Sequence, residues 1–298
     1  MTTIIAARDQ VPLTNLDKMF YPEARFTKGD LVDYYDRISP VMVPHLASHP
    51  VTVIRYPDGV DGLSFFEKRA PAKRPPWLKT MRASSERFGA IEFPVIDSRQ
   101  ALVWMANRAA IEFHTYLFRQ RAEQRPLMLV FDLDPGAPAT LRECLDIGIV
   151  IRDLLHDLGL QTFAKTSGGK GLHLVVPVQG ASFDDTKHFA RQVAELLARQ
   201  EPRRVTSAMA KAQRSGRVFI DWSQNDHGKT TACAYTLRAR TRPTVSTPLA
   251  WEEIERARRR FTLERLVFDA HHVLRRVDEM GDLFAPVLTT RQRLPKFP

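Results

Sequence analysis

Three carboxylates and one glycine-rich turn concentrate the reactive groups of this chain. Asp132 and Asp134 lie two apart in Phe131-Asp132-Leu133-Asp134-Pro135, directly after the apolar run Leu127-Met128-Leu129-Val130. A strand alternates faces with period two, so both carboxylates point the same way. Like charges on one face repel unless a cation lies between them. Sets of carboxylate oxygens suit hard divalent ions such as Mg2+ or Mn2+. Asp221, in Phe219-Ile220-Asp221-Trp222, is the natural third ligand. Two such ions can stabilise both oxygens of an in-line phosphoryl displacement. The competing reading is that Asp132 and Asp134 cap a loop or accept backbone hydrogen bonds.

The second reactive segment is Ser167-Gly168-Gly169-Lys170-Gly171-Leu172-His173. Its glycines let the backbone approach a ligand closely and offer N–H groups to phosphate oxygens. Lys170 adds a point charge and His173 a donor; a tight hairpin with a solvated lysine is the alternative. The spacing is not that of a Walker loop, because no Ser or Thr follows Lys170. Arg238 and Arg240 would share one face if Tyr235–Arg240 were a strand, and arginine pairs grip phosphates in a geometry lysine lacks. Arg203, Arg204, Lys211, Arg214 and Arg217 make the loop before Asp221 basic, suited to phosphate or to solvent.

These groups need a scaffold, and from residue 126 a regular succession supplies one. A strand is predicted over 127–133, and a helix over 140–158 with capping-box spacing at Thr140 and Glu143. A strand over 161–165, the glycine turn and a strand over 172–178 follow. A helix over 184–199 and a strand over 218–222 close the set. The order β-α-β-β-α-β is the split βαβ plan of ferredoxin-like and RNA-recognition folds, with one open sheet face on which the three carboxylates could meet. Earlier, a helix over 28–38 ended by Pro40, a strand over 52–56, an irregular basic segment 71–76, a helix over 102–110 and an extended stretch 111–117 are expected. The tail carries helices near 249–260 and 263–268. The expected fold is α+β: a split βαβ catalytic module (126–242) packed on an N-terminal α/β module (1–125), with a helical tail (243–298).

The 298 residues carry 44 Lys plus Arg against 34 Asp plus Glu, a formal charge of +10 that favours a polyanionic partner over none. No stretch approaches a membrane span, and Met1-Thr2-Thr3 opens no signal-peptide pattern. Two cysteines, Cys144 and Cys233, make no disulfide framework, so a cytoplasmic setting is expected.

Phe-Asp-Leu-Asp-Pro, Ser-Gly-Gly-Lys-Gly-Leu-His and Ile-Asp-Trp-Ser-Gln-Asn, in this order, resemble the three active-site motifs of the archaeo-eukaryotic primase superfamily. The nearer match is the polymerase domain of bacterial DNA ligase D, the end-joining polymerase that works with Ku. Leu13–Lys18, Thr27-Lys28, Ser64–Lys68 and Glu112-Phe113-His114 match as well, so the resemblance covers nearly the whole chain. It implies a single primase-polymerase domain that adds nucleotides, ribonucleotides included, to 3′ ends at gaps and breaks. Asp132, Asp134 and Asp221 would bind two Mn2+ or Mg2+ ions. Ser167, Lys170, His173, Arg238 and Arg240 would contact the incoming nucleoside triphosphate, with Gln224 and His114 in matching motifs nearby in sequence role. Lys18 and Lys28 would grip a DNA 5′-phosphate, and Phe65 and Phe66 would stack at the template. Ku, a ligase domain and the bacterial nucleoid are the implied company. Arg69 departs from the pattern, where an acid is expected.

Two other classes compete. A haloacid-dehalogenase-type phosphohydrolase also begins with a strand and D-x-D, but needs a late acidic cluster, and Asp184-Asp185 comes early and opens a helix. An RNA-recognition-like binding module would carry aromatics on its central strands; carboxylates there repel a phosphate backbone unless metal is bound. No ligase K-x-D-G motif is evident.

Overall fold

Local signals set where the main helices begin. The computed structural model describes residues 11–85, 89–120, 122–260, 262 and 266–295. In chain order the elements are β1 (Met19–Tyr21), β2 (Phe26–Thr27), α1 (Lys28–Leu46), β3 (Val51–Arg55), β4 (Phe65–Glu67), β5 (Thr80–Ser85), β6 (Gly89–Pro94), α2 (Arg99–Asn107) and β7 (Ala110–Tyr116). Then come β8 (Met128–Pro135), α3 (Leu141–Asp157), β9 (Phe163–Thr166), β10 (Leu172–Pro177), α4 (Phe183–Gln200), β11 (Val205–Thr206) and β12 (Val218–Asp221). Last are β13 (Thr230–Ala232), β14 (Pro248–Leu249), α5 (Trp251–Arg260), α6 (Ala270–Met280) and α7 (Ala285–Thr289). Helices α1, α3 and α4 each start with a reciprocal capping box, at Thr27/Asp30, Thr140/Glu143 and Ser182/Asp185. The Asp184-Asp185 pair is therefore a helix start, and no separate acidic centre forms there.

Helix α1 overturns one expectation. It runs through Pro40 and Pro44 instead of stopping at Pro40. A proline supplies no N–H to the carbonyl four residues back. That carbonyl belongs to Asp36, and the Ser39 hydroxyl donates to it at 2.7 Å. Two further corrections concern the tail. Residues 263–265 lie outside the described residues, and 266–268 are not part of an α-helix; the chain instead forms α6 and α7.

The chain packs into two compact units, and each draws on three separate stretches. The first takes the chain up to Gln120, Thr230–Ser246 and Phe268–Asp282. Its main sheet has the order β13-β7-β3-β4, antiparallel throughout, with β5 and β6 forming a separate hairpin. The stretch after β13 is bound in by polar contacts. Tyr34 Oη donates to the Tyr235 carbonyl at 2.7 Å, and the Phe113 N–H donates to Thr236 Oγ1 at 2.8 Å.

The second unit takes Arg121–Lys229, Thr247–Val267 and Leu283–Pro298. Its sheet has the order β11-β12-β8-β10-β9-β14. The four strands β12-β8-β10-β9 reproduce the split βαβ arrangement, with first and last strands adjacent; β11 and β14 extend its edges. Helix α3 seats on the face carrying Leu133, Leu172 and Leu174: a Cβ on Gly148 would come within 2.7 Å of the Leu172 side chain. Asp132 and His173, one residue along on the same strands, belong to the opposite face. The division differs from the expected one. Residues 230–242 pair with the first unit's β7, and the tail is shared between the units instead of standing alone.

Candidate active site

The second unit brings four polar residues into one row across its sheet. The register pairs Lys165 on β9 with His173 on β10, His173 with Asp132 on β8, and Asp132 with Asp221 on β12. Directly opposed residues share a face, with Cβ atoms about 4.5–5.5 Å apart. Asp134 stands two residues beyond Asp132 on that same face and is exposed. The three carboxylates expected to meet are thus brought to one face of two adjacent strands. Their side chains are held by protein partners. His173 Nε2 lies 3.3 Å from Asp132 Oδ1, Gln224 Nε2 donates to Asp132 Oδ2 at 3.3 Å, and Ser223 donates both N–H (2.9 Å) and Oγ–H (2.6 Å) to Asp221 Oδ1.

Burial by itself would raise the Asp132 pKa. The electrostatic pull and hydrogen bond of His173, then Lys165, then Gln224, outweigh it and hold the carboxyl below its ordinary value. The group is therefore ionised and ready to bind a cation. Among the described residues, no three His, Cys, Asp or Glu side chains already stand gathered around one point as a metal cage. Two observations fit a divalent ion all the same. The donor set is all hard oxygen, and Gln224 Oε1, beside Asp132, is buried and accepts no hydrogen bond from the protein. An orphaned acceptor at that place suits a donor carried by a bound ion or ligand, such as a coordinated water.

The glycine turn is built around Ser167. Its Oγ accepts from the N–H groups of Gly169 (3.2 Å) and Gly171 (3.1 Å), while its own N–H donates to the Gly171 carbonyl at 3.0 Å. Gly168 takes φ +69°, the left-handed region. A Cβ on Gly171 would stand 2.3 Å from the Leu133 carbonyl oxygen, between the two β8 carboxylates in sequence. Only glycine lets the turn seat there. Lys170 is exposed at its tip. Of the basic loop before β12, Arg204 is paired with Asp146 (3.1 Å) and Arg214 lies over the Phe219 ring at 3.5 Å, so both have packing roles. Asn225 is fully buried and exchanges two hydrogen bonds of 2.8 Å with the Val130 backbone, completing the edge of β8.

In the first unit the remaining residues form three groups. Lys18 and Lys28 are brought together by the β1–β2 hairpin, where the Lys28 N–H donates to the Lys18 carbonyl at 2.8 Å. Lys18 Nζ binds Asp58 at 2.5 Å, and Lys28 Nζ donates to the Thr14 carbonyl at 2.5 Å. Burial, and then the neighbouring Lys18 charge, lower the Lys28 pKa.

Strand alternation would turn one of Phe65 and Phe66 inward, yet they are 48% and 56% exposed. Their strand, β4, has three residues and ends the sheet order, so the side chains on both of its faces project past the core.

His114 and Arg238 meet at Glu112. His114 Nε2 is 2.8 Å from Glu112 Oε2, and Arg238 Nε donates to the same oxygen at 3.1 Å. The anticipated strand through Arg238 and Arg240 does not form. Leu237 makes one bridge, to Val245, and the Arg240 N–H turns back to the Arg238 carbonyl at 2.9 Å. Arg240 is exposed, so the two arginines do not act as a strand-face pair.

Sequence reasoning passed over Lys165 and Glu112. A signal for Lys165 existed: a lysine ending a predicted strand directly before the glycine turn. Glu112 is marked only as part of the matching Glu112-Phe113-His114 segment, and nothing near it in sequence shows which donors it collects.

The comparisons agree with the geometry. A family model described as "LigD, primase-polymerase domain" matches residues 27–284. The multifunctional non-homologous end joining protein LigD of Mycolicibacterium smegmatis is 43% identical over 94% of this chain. Its counterpart in Pseudomonas aeruginosa is 32% identical over 97%. The chain spans about a third of these relatives, 36% and 34% of their lengths. A solved structure of the polymerase domain from Mycobacterium tuberculosis ligase D, in complex with DNA, superposes with a TM-score of 0.86 at 40% identity, covering 94% of this chain and 98% of that one. No helix among the described residues is long and apolar enough to cross a membrane. With its α+β folds, split βαβ sheet and in-register carboxylates, the chain belongs to the LigD primase-polymerase domain family.

Proposed function

We propose that this chain is a template-directed nucleotidyltransferase that adds ribo- or deoxynucleotides to 3′ ends at gaps and double-strand breaks during non-homologous end joining. The observation that carries this reading is the cross-strand register of Asp132 with Asp221, Asp134 two residues along, beside a glycine turn seated on the Leu133 carbonyl. Asp132, Asp134 and Asp221 would hold two divalent ions, Mn2+ or Mg2+. Such ions, when bound, favour loss of the 3′-hydroxyl proton and neutralise the charge gathering on the leaving pyrophosphate.

The chain's own residues do the rest. Ser167 orders the turn, Lys170 supplies charge to the triphosphate, and the Nε2 edge of His173 supplies a donor. Gln224 offers its buried amide oxygen as an acceptor. Arg238, with Arg240 and His114, contacts the nucleotide. Lys18 and Lys28 take the 5′-phosphate across a gap, each through charge-assisted hydrogen bonds to its oxygens. Phe65 and Phe66, exposed and adjacent, offer stacking surface worth about 1–3 kcal/mol per base. A formal charge of +10 favours DNA as partner. The relatives' names support a setting in non-homologous end joining; Ku, a ligase domain and bacterial chromosomal DNA are the company the family resemblance implies.

The test is primer extension on a gapped duplex, with and without a 5′-phosphate at the far side of the gap. The wild-type chain extends in Mn2+ or Mg2+, prefers the phosphorylated gap, and stops when chelator is added. Asp134→Ala, an exposed position where folding should be spared, lowers extension by at least about a hundredfold, equivalent to ~3 kcal/mol of lost transition-state stabilisation. Extension that survives this substitution removes the metal assignment, and a wild-type chain inert on every gapped template removes the reading itself.

A further inference from the structure

We propose that Glu112 is a positioning residue that fixes Arg238 and His114 in the orientation needed to bind the phosphate groups of the incoming nucleotide; this rests on the nucleotide-binding role proposed above for Arg238. Glu112 and His114 alternate with Phe113 on β7 and so share a face. The Glu112 side chain is only 6% exposed. A buried carboxylate is tolerated when it is paired and its lone pairs are used. Here one carboxylate collects donors from two distant parts of the sequence. His114 Nε2 lies at 2.8 Å and Arg238 Nε at 3.1 Å from Oε2, and the Ala239 N–H donates to Oε1 at 2.9 Å. Burial alone would raise its pKa. The His114 hydrogen bond, the Arg238 and His114 charges and the Ala239 amide reverse that and hold it at about 2.

The Arg238 segment has little regular structure of its own. Its one bridge is at Leu237, and the chain bends by Arg240. The Arg238 N–H donates to the Thr244 carbonyl at 2.8 Å, and the Glu112 carboxylate adds a second hold just beyond it, binding backbone at Ala239 and side chain at Arg238. Anchoring Nε fixes the plane of the guanidinium, because the five donors of that group form one rigid fork. A fork oriented in advance loses less freedom when it takes a phosphate. An acid next to a group that must bind a trianion is otherwise a liability, since its charge opposes the ligand. Full commitment of that charge to three donors removes the liability and leaves the orientation.

A purely structural clasp and a positioning residue differ in what they do to kinetics. The measurement is extension of a gapped duplex against nucleotide concentration, for the 298-residue chain, Arg238→Ala, Glu112→Gln and the double variant. Glu112→Gln raises KM about tenfold while kcat changes less than about threefold, and the double variant is no worse than Arg238→Ala, because both substitutions break one unit. The inhibition constant of inorganic triphosphate rises in parallel. A KM for Glu112→Gln within about twofold of wild type, beside an impaired Arg238→Ala, overturns the proposal, as does a double variant whose losses multiply. An Arg238→Ala variant with unchanged KM instead overturns the nucleotide-binding role of Arg238. Should Glu112→Gln fail to fold, Glu112→Asp serves: it keeps the charge but withdraws it by one methylene. A raised KM at near-normal kcat supports positioning, and an unchanged KM refutes it.

Discussion

Lys165 shows how much a single buried charge can be asked to do. It is 2% exposed, and its Nζ lies 2.9 Å from His173 Nδ1. An ammonium has donors only, so Nδ1 accepts and the ring proton sits on Nε2, facing Asp132. A lysine in this position costs desolvation that an apolar side chain would avoid. Its retention makes sense if the row Lys165–His173–Asp132 must be polarised in one direction. Replacing Lys165 with methionine keeps most of the stem and deletes the charge. The expected outcome is a melting temperature equal to or above wild type, with extension reduced about tenfold or more, the scale of one charge-assisted hydrogen bond. Thermal melting and single-nucleotide extension on the same preparation check both halves. A variant that loses stability and activity together would make Lys165 a structural residue.

Among the elements, the turn between β9 and β10 is the most tightly specified. Ser167 folds it back on itself, and Gly171 lets it lie against β8 where no Cβ could fit. Gly171→Ala should therefore push the turn off the strand that carries Asp132 and Asp134. A loss of about 1–3 kcal/mol in urea unfolding is expected from the overpacking, with a larger proportional loss of extension because the displaced atoms belong to the site. Unchanged extension would mean that the seat of the turn does not matter to the chemistry. Other elements show where local reading succeeds. The capping boxes of α3 and α4 place both helix starts within a residue of expectation, because a cap is satisfied by neighbours in sequence. The same logic fails at Pro40, where the Ser39 hydroxyl occupies the carbonyl the proline leaves open. It fails again at Arg238–Arg240, where a bend replaces the strand on which a shared face depended.

At the scale of the molecule, each unit is assembled from stretches far apart in sequence, so its stability depends on groups that no local window connects. His49 is one such group, 2% exposed in the first unit and bonded through Nδ1 to the Tyr116 carbonyl at 2.9 Å. Burial, then the nearby Arg119 charge, push its pKa down from 6.5 to about 4. The unfolded chain takes up this proton first as pH falls. Stability present above pH 6.5 is accordingly lost as pH drops towards 4, by up to about 3 kcal/mol. Denaturant unfolding across that range should show the decline in the wild type and a flatter profile in His49→Gln. Equal slopes for the two proteins would exclude His49 as the source.

The sequence by itself determined the local content of the site. Period-two alternation put Asp132 and Asp134 on one face, glycine spacing marked the turn at 167–171, and the β-α-β-β-α-β succession gave the sheet plan. These rest on interactions between near neighbours, which a sequence displays. Tertiary structure alone decided that Asp221 falls opposite Asp132, that Lys165 backs His173, that Phe65 and Phe66 are both exposed, and that Glu112 clasps an arginine 126 residues away. Strand register and edge position arise from the packing of the whole sheet, and a buried charge finds its partners only after distant segments have been brought together.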